Sequence, residues 1–319
     1  MISCTEFILA YSELFKYLDS KYGRQEVDRL WNFLFKPTGK GIPLINYAKK
    51  DGLKGCVDYW TGTLTEESAE VTFMYNLEDG WFARQMHHCP SKGRLLQFEE
   101  SLGIEPYHDY CDHCDFYRAS LEEVGLTWIR NHTSVDKASC SCIIWDPKVF
   151  KGVMKMNEST VIKEFHSSDN EYFHPDFHSS MNMGIEYLGL YHGEEDVKAY
   201  LTTFTHNAYK SLLEEMQKDP LKVLANKIRQ TYLSEKAHDA LEIEVSENKL
   251  SVNVKYCPAI RHLKATGRDV SEWFYMTTTI VMEALAQAGN LAFKMEQYNP
   301  QTGAATYSFL HSNLPQHYA

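Results

Sequence analysis

The 319-residue chain lacks the short motifs that mark several common enzyme classes. It has no glycine-rich phosphate-binding loop, no Gly-x-Ser-x-Gly nucleophile elbow and no His-Glu-x-x-His helix. Each of these motifs positions the groups that its chemistry needs, such as backbone amides for phosphate or paired histidines for zinc. Their absence argues against the common nucleotide-binding, serine-hydrolase and zincin classes.

The chain also has little positive charge and no long apolar run. Lysine and arginine number 32 against 43 aspartate and glutamate residues, which gives a formal net charge of -11. Nucleic acids and anionic membranes would repel this surface on average, so neither is expected as a partner. No uninterrupted apolar run approaches the roughly 20 residues that a membrane-spanning helix needs.

The first residues, MISCTEFILAYSELF, lack a basic segment and a small-residue cleavage site, and they contain Glu6 and Glu13. This composition is unlike a secretory signal, so the sequence predicts a cytoplasmic protein. Thiols stay reduced in that compartment. The eight cysteines are therefore expected to be reduced thiols, available for metal binding or chemistry, rather than a disulfide framework. Cys4, Cys56 and Cys257 are expected to be small buried core residues.

The sequence pattern indicates an internal repeat. Residues 51–90 align with 219–258 without a gap, which places the Cys-Pro pairs at Cys89 and Cys257 opposite each other. Two copies of about 145 residues also agree with the usual length of a domain. The predicted domains are a Cys-rich domain over 1–150, a linker over 151–171, and a second copy over 172–311 that lacks most of the cysteines.

Each copy is predicted to begin with helices and to end with strands. Apolar residues recur at helical spacing before and after Gly23, whereas Val71, Phe73 and Tyr75 follow the period of a strand. A hairpin turn at Asp79-Gly80 follows, and one further helix and two strands close the unit. The predicted fold class is α+β, with two tandem copies of N-terminal helices followed by an antiparallel sheet with an inserted helix, packed as a pseudo-dimer.

Five cysteines of the first copy are expected to converge. Cys111 and Cys114 lie where a helix should begin, and a helix start favours a metal-bound or nucleophilic thiolate. Cys140 and Cys142 alternate along one strand and so face the same side, while Cys89 ends a neighbouring strand. The second copy lacks four of these thiols, since Tyr275, Thr278, Ala304 and Thr306 align with 111, 114, 140 and 142. If it folds without them, they are functional in the first copy.

Three interpretations of these thiols stay open. Four thiolates can bind zinc tetrahedrally or hold an iron-sulfur cluster. Alternatively Cys111 or Cys114 attacks a substrate directly with a histidine as base. The third interpretation is that the thiols are small buried core residues, since free cysteine is among the most buried types.

The segment His-Pro-Asp-Phe-His places His174 and His178 four residues apart at the expected start of the second copy's first helix. On one helix face both could reach the same ion or substrate group, although two solvated histidines would give the same pattern. The candidate metal ligands are Cys89, Cys111, Cys114, Cys140 and Cys142; the candidate catalytic residues are Cys111, Cys114 and His178; the candidate substrate-binding residues are His174 and His178.

Three segments of residues 86–145, CPSKGRLL, DYCDHCDFY and DKASCSCIIW, resemble the L-2-amino-thiazoline-4-carboxylic acid hydrolase family. That family has a Cys-Pro, a later Cys followed by Asp, and a final Cys that opens the last strand, and Cys89, Cys111 and Cys140 occupy these places. The chain adds Cys114 and Cys142 and lacks the family's Gly-Asp before the last cysteine. The same order of elements is more weakly similar to 4-vinyl-reductase-type ligand-binding domains, some of which hold zinc through cysteines.

The resemblance implies a hydrolase-like enzyme that acts on a small cyclic or C-N-bonded metabolite. The thiols indicate a metal-assisted or a thiolate mechanism, with zinc as the expected cofactor and an iron-sulfur cluster as the alternative. Two other functions remain open, a small-ligand binding or sensing protein with a structural zinc and an iron-sulfur redox protein. The expected partner is a small-molecule substrate or ligand.

Overall fold

A computed structural model describes residues 1–36 and 42–312 of the chain. Within these ranges the helices are α1 (Phe7–Tyr22), α2 (Arg24–Phe35), α3 (Leu44–Glu66), α4 (Pro90–Leu102), α5 (Tyr117–Glu123), α6 (Phe177–His192), α7 (Glu194–Ala208), α8 (Lys210–Met216), α9 (Pro220–Ser234), α10 (Pro258–Ala265) and α11 (Met276–Ala288). The strands are β1 (Glu70–Asn76), β2 (Trp81–His88), β3 (Thr127–Ser134), β4 (Ser139–Trp145), β5 (Val161–Phe165), β6 (Leu241–Val245), β7 (Lys249–Val254), β8 (Leu291–Tyr298) and β9 (Ala305–His311). No helix in the described ranges is both long and apolar enough to cross a membrane.

The chain divides into two compact units whose boundaries differ from those predicted. The Cys-rich unit is Phe15–His174, and the carboxy-terminal unit combines Met1–Leu14 with the chain from Pro175 onward. The first fourteen residues belong to the second unit because their side chains and backbone are used there. The Phe7 ring stacks on that of Phe177 with centroids 4.6 Å apart, and the Tyr200 hydroxyl donates to the Ala10 carbonyl over 2.7 Å.

The predicted linker over 151–171 contains a strand. β5 pairs antiparallel with β1, with Val161 opposite Tyr75 and Phe165 opposite Val71. The linker prediction left out the apolar residues Val161, Ile162 and Phe165, which belong to this strand. The segment therefore completes the sheet of the Cys-rich unit instead of only joining two domains.

Both sheets are antiparallel and helices pack with them, which confirms the predicted α+β class. The strand order is β3-β4-β2-β1-β5 in the Cys-rich unit and β6-β7-β9-β8 in the carboxy-terminal unit. With β5 left out and the sheet read from the opposite edge, the first order is β1-β2-β4-β3. The second order, β6-β7-β9-β8, places the first, second, fourth and third strands of its unit in the same sequence. In each unit a helix follows the hairpin directly, with a Cys at the N-cap and a Pro at the first helical position, Pro90 in α4 and Pro258 in α10. Proline suits this position because its missing N-H has no intrahelical partner there.

The core of the Cys-rich unit lies where α3 and α5 meet one face of the sheet. The indole of Trp60 on α3 stacks on that of Trp128 on β3 with centroids 5.6 Å apart. α3 bends at Asp51 and Gly52, where Gly52 takes the left-handed φ of +58° that glycine tolerates best. This bend brings Gly55 so close to the carbonyl oxygen of Tyr47 that a side chain at position 55 would collide with it.

Candidate functional site

Two arginines and a cysteine form a row across the buried face of the Cys-rich sheet. Arg84 on β2 and Arg130 on β3 both lie directly opposite Cys142 on the intervening β4. Directly opposite residues of an antiparallel pair point to the same face, so the three side chains line up across three strands. Trp128 and Ile144 share this face and are fully buried. Two cationic side chains are therefore placed on the face that carries the core.

Arg84 is buried and not fully hydrogen-bonded. The residue is 6% exposed, and its guanidinium lies 5.2 Å from the Trp60 ring centroid and 6.0 Å from that of Trp128. Within residues 1–36 and 42–312 its Nε-H has no hydrogen-bond partner. Leaving such a donor unpaired in the interior costs about 1–3 kcal/mol. This N-H is therefore available to a bound acceptor.

Arg130 differs from Arg84 because its donors are used. Its side chain is 2% exposed, and Nη2 donates to the Cys111 carbonyl over 2.7 Å. Nε donates to His132 over 2.7 Å and lies 3.4 Å from the Asp115 carboxylate. Arg130 thereby ties strand β3 to the segment that carries Cys111.

That segment is a 3-10 helix, Tyr110–Phe116, which leads directly into α5 and confirms the predicted helix start. Within it the Sγ of Cys114 lies 3.5 Å from Nε2 of His113. Nδ1 of His113 bonds the Tyr110 carbonyl, and its ring packs against those of Trp31 and Phe35. The imidazole is thus held by packing on its faces and by a hydrogen bond at each nitrogen.

The surroundings of Cys114 favour its thiolate. Burial alone would raise the pKa of Cys114, but His113, Arg130 and Arg84 together lower it to about 6. For His113, burial acts in the opposite direction and lowers the pKa. The neighbouring Cys114 and the Tyr110 carbonyl outweigh burial, so the pKa of His113 lies above its ordinary value. Near neutral pH the two residues therefore form a thiolate-imidazolium pair.

Cys111 does not share this activation. Burial, and to a smaller extent the nearby Cys114, raise its pKa to about 12. The sequence offered Cys111 or Cys114 as the nucleophile, and the surrounding charges favour Cys114. Arg130 lowers the pKa of both thiols, whereas His113 and Arg84 are named causes only for Cys114. A catalytic role of Cys111 stays a prediction.

The other three predicted ligands lie against or in the hydrophobic core. Cys142 is a core residue, and Cys89 and Cys140 pack against that core. Burial raises the pKa of each of the three. Cys89 interacts electrostatically with Cys114, Cys140 and Cys111, so the thiols share one region of the unit.

The thiols are nevertheless spaced more widely than a metal requires. Zinc-sulfur bonds of about 2.3 Å place tetrahedral thiolates about 4 Å apart. Across residues 1–36 and 42–312, no three donor atoms from these five cysteines lie within 4.8 Å of one another. The arrangement does not fit a four-thiolate ion as it stands, so zinc and the iron-sulfur cluster stay predictions.

His174 and His178 do not share a helix face. α6 begins at Phe177, because the chain makes a turn at Pro175 and Asp176, so His174 precedes the helix. His174 belongs to the Cys-rich unit, where Nδ1 bonds the Glu66 carboxylate over 2.5 Å. His178 belongs to the carboxy-terminal unit, where Nε2 bonds Glu235 over 2.9 Å. Their substrate-binding roles, and the catalytic role of His178, stay predictions.

The corresponding row of the carboxy-terminal sheet is apolar. Val252, which precedes its Cys-Pro by five residues as Arg84 does, lies opposite Tyr307, and Tyr307 lies opposite Met295. Tyr307 therefore takes the place of Cys142, one residue beyond the Thr306 that the sequence alignment gave. The same strand order forms with apolar residues in this row, so the two arginines are not needed to build the sheet.

Neither arginine was among the site residues predicted from the sequence. Arg84 alternates with Phe82 and Met86 and so falls on the apolar face of its strand. Arg130 has the same relation to Trp128. A charged residue at a core position of a strand is unusual, since such residues are rarely buried without a partner. This position in the strand pattern was the signal that could have identified both arginines as site residues.

Comparisons with known proteins do not identify a family. No family model matches the chain, and neither a curated protein nor a solved structure matches it. The similarity of the segments at Cys89, Cys111 and Cys140 to the thiazoline carboxylic acid hydrolase family therefore stays a prediction.

Proposed function

We propose that the Cys-rich unit is a hydrolase-like enzyme that acts on a small, negatively charged cyclic or C-N-bonded metabolite. The observation that carries this proposal is the row of Arg84, Cys142 and Arg130, in which the Nε-H of Arg84 is unpaired and the charge of Arg84 acts on Cys114. An anionic group supplies what the buried guanidinium lacks, and the thiolate supplies a nucleophile.

Cys114 and His113 have complementary roles in this mechanism. The thiolate of Cys114 attacks the electrophilic carbon and forms an S-C bond. The electrons of the C-N bond pass to nitrogen, which takes the proton from Nε2 of His113. The neutral imidazole then accepts a proton from water as the water attacks the S-C carbon, and the thiolate leaves. His113, and not His178, is the histidine that contacts Cys114.

The anionic group of the substrate is assigned to Arg84. Its free Nε-H can donate to a carboxylate oxygen, and a charged hydrogen bond in a buried site is stronger than one in water. Trp60 and Trp128 cover the guanidinium and leave it little freedom. Arg130 is less suited because its donors are bound within the protein.

Turnover of five-membered cyclic amidines tests this proposal, each offered as a carboxylate and as its neutral amide. Cys114→Ser should reduce turnover of the carboxylate at least about a thousandfold, as removal of a nucleophile does. Cys111→Ser is the matched control and should retain most activity. Arg84→Met should raise KM for the carboxylate more than for the amide. Unchanged turnover in Cys114→Ser would contradict the proposal.

A second candidate is a small-ligand binding or sensing protein with a structural zinc, or an iron-sulfur redox protein. A four-thiolate zinc requires four of Cys89, Cys111, Cys114, Cys140 and Cys142 to lie closer together than they do in this structure. The observation that favours it is the charge of the site. Four thiolates around Zn²⁺ carry a net charge of −2, which the two buried arginines would balance. Elemental analysis and a visible spectrum of anaerobically purified protein separate zinc, iron and metal-free forms.

We also infer that the two units are products of a duplication. Their equal strand order and the Cys-Pro start of α4 and α10 support this inference. The predicted pseudo-dimer packing stays a prediction. In this view the second copy kept the sheet and has apolar residues where the first has the arginine row.

A further inference from the structure

A second cluster of metal-binding residue types lies in the carboxy-terminal unit, apart from the proposed catalytic residues. The sulfur of Cys4, a ring nitrogen of His178 and a carboxylate oxygen of Glu235 all lie within 4.8 Å of one another. The three residues are 0%, 2% and 5% exposed, respectively. None of them belongs to the Cys-rich unit.

These residues come from three distant places in the sequence. Cys4 precedes α1, His178 is the second residue of α6, and Glu235 caps the carboxyl end of α9. Both oxygens of Glu235 are used, since Oε1 accepts from the Cys4 backbone N-H over 2.5 Å and Oε2 lies 2.9 Å from Nε2 of His178. Glu235 therefore lies between the other two residues and holds both.

We propose that Cys4, His178 and Glu235 bind one zinc ion. Thiolate, imidazole and carboxylate are the three side-chain ligands that zinc uses in proteins. Magnesium and calcium are disfavoured, since they select oxygen ligands and two of these three donors are sulfur and nitrogen. Sulfur, nitrogen and oxygen donors of a zinc site converge here within the span that a single ion can bridge.

The charges of the cluster fit a divalent cation in the interior. A thiolate ligand and a carboxylate ligand together carry −2, which Zn²⁺ neutralises, and an imidazole ligand adds no charge. A neutral complex avoids the large cost of burying a net charge. Three side-chain ligands leave the fourth position of a tetrahedral zinc to a water or another group. Binding of the ion adds to the free energy of folding.

The surrounding contacts preorganise the cluster. Two residues after Cys4, Glu6 pairs with Lys227 of α9 and accepts a hydrogen bond from the Tyr209 hydroxyl over 2.9 Å. Phe7 stacks on Phe177, which is the neighbour of His178. These contacts fix the amino-terminal segment against α6 and α9 independently of the three donors. Ligands held in this way lose little freedom when the ion binds.

Metal titration of the full chain tests this inference. Metal is first removed with a chelator under reducing conditions, and the protein is then titrated with Zn²⁺ and, separately, with Co²⁺. The wild-type protein should bind one equivalent of zinc more than Cys4→Ser or Glu235→Gln. Its cobalt form should show a thiolate-to-cobalt absorption band that weakens in Cys4→Ser.

Two matched variants serve as controls. Cys56→Ser removes a fully buried thiol of the Cys-rich unit. Glu13→Gln removes a second buried carboxylate of the carboxy-terminal unit, one that accepts a hydrogen bond from Asn207. Both should bind as much zinc as the wild-type protein. Zinc bound by the Cys-rich unit would be present in the wild-type protein and in the variants alike. It would therefore not alter the difference of one equivalent between them.

Two results would overturn the inference. One is equal zinc binding by the wild-type protein, Cys4→Ser and Glu235→Gln. The other result applies if the variants fail to fold. In that case the inference is overturned when removal of zinc leaves the melting temperature of the wild-type protein unchanged and its cobalt form shows no thiolate-to-cobalt absorption band. A catalytic failure of Cys114→Ser would leave this inference unaffected, since Cys114 lies in the other unit.

Discussion

Alkylation of Cys114 across a range of pH tests the thiolate-imidazolium pair directly. With a pKa of about 6, against an ordinary value of 9.0, the thiolate fraction is about 90% at pH 7 and about 10% at pH 5. A thiol of pKa 9 is about 1% thiolate at pH 7 and about 0.01% at pH 5. The activated thiolate is also intrinsically less nucleophilic, by about twentyfold for three pKa units. Cys114 should therefore react about five times faster than an ordinary thiol at pH 7 and about 50 times faster at pH 5.

The assay is timed iodoacetamide labelling, with the modified cysteine located by mass spectrometry. The rate at Cys114 should rise with pH through a midpoint near 6 and then level off. His113→Phe keeps an aromatic ring among Trp31 and Phe35 but removes the charge and the hydrogen bond to sulfur. Loss of a neighbouring opposite charge should raise the midpoint by about 1–3 pH units.

The matched control is His87→Phe, because His87 is exposed and bonds Thr72 instead of a thiol. Its midpoint should equal that of the wild-type protein. A wild-type midpoint near 9, or the same midpoint in His113→Phe and wild-type protein, would refute the assignment of His113 as the partner of the Cys114 thiolate.

Further predictions concern the free energy of unfolding, measured by urea denaturation. Arg84→Met should raise it by about 1–3 kcal/mol, because a buried unpaired donor is replaced by an apolar chain, whereas Arg130→Met should lower it by about 1–3 kcal/mol through the loss of satisfied hydrogen bonds. Destabilisation by Arg84→Met equal to that of Arg130→Met would contradict the distinction between the two arginines. Gly55→Ala should lower the free energy of unfolding by about 1–3 kcal/mol, since its methyl group meets the Tyr47 carbonyl. The methyl group of Gly62→Ala, on the same helix, meets nothing within 4 Å and should raise the free energy of unfolding by about 0.5–1 kcal/mol. Equal effects of the two substitutions would contradict the collision at position 55.

The α+β class could be predicted because the periods of helix and strand are local properties of the sequence. Val71 and Phe73 alternate with more exposed residues, and the Cys-Pro pairs lie where each hairpin gives way to a helix. The unit boundary could not be predicted in this way. It depends on the stacking of Phe7 on Phe177, a contact between residues 170 positions apart.

The candidate site was predicted only in part, for a similar reason. The spacing of Cys111 and Cys114 identified the segment, but it treated the two thiols alike. Their pKa values diverge because His113 and Arg84 act on Cys114, and strand pairing places Arg84 on the buried face. Strand register is a tertiary property that spacing along the chain does not contain.

The division of the carboxy-terminal unit into Met1–Leu14 and the chain from Pro175 onward has a consequence during synthesis. At about 5–20 residues per second, a ribosome needs roughly 10–30 s to add the 160 or so residues that separate these two stretches. Through that interval the apolar side chains of the first stretch, such as Phe7 and Ile8, have no completed unit to enter. They are then candidates for a chaperone or for premature contacts within the nascent chain. The Cys-rich unit is one continuous stretch and can finish folding first, while the unit that the first residues began must wait for the last ones to emerge.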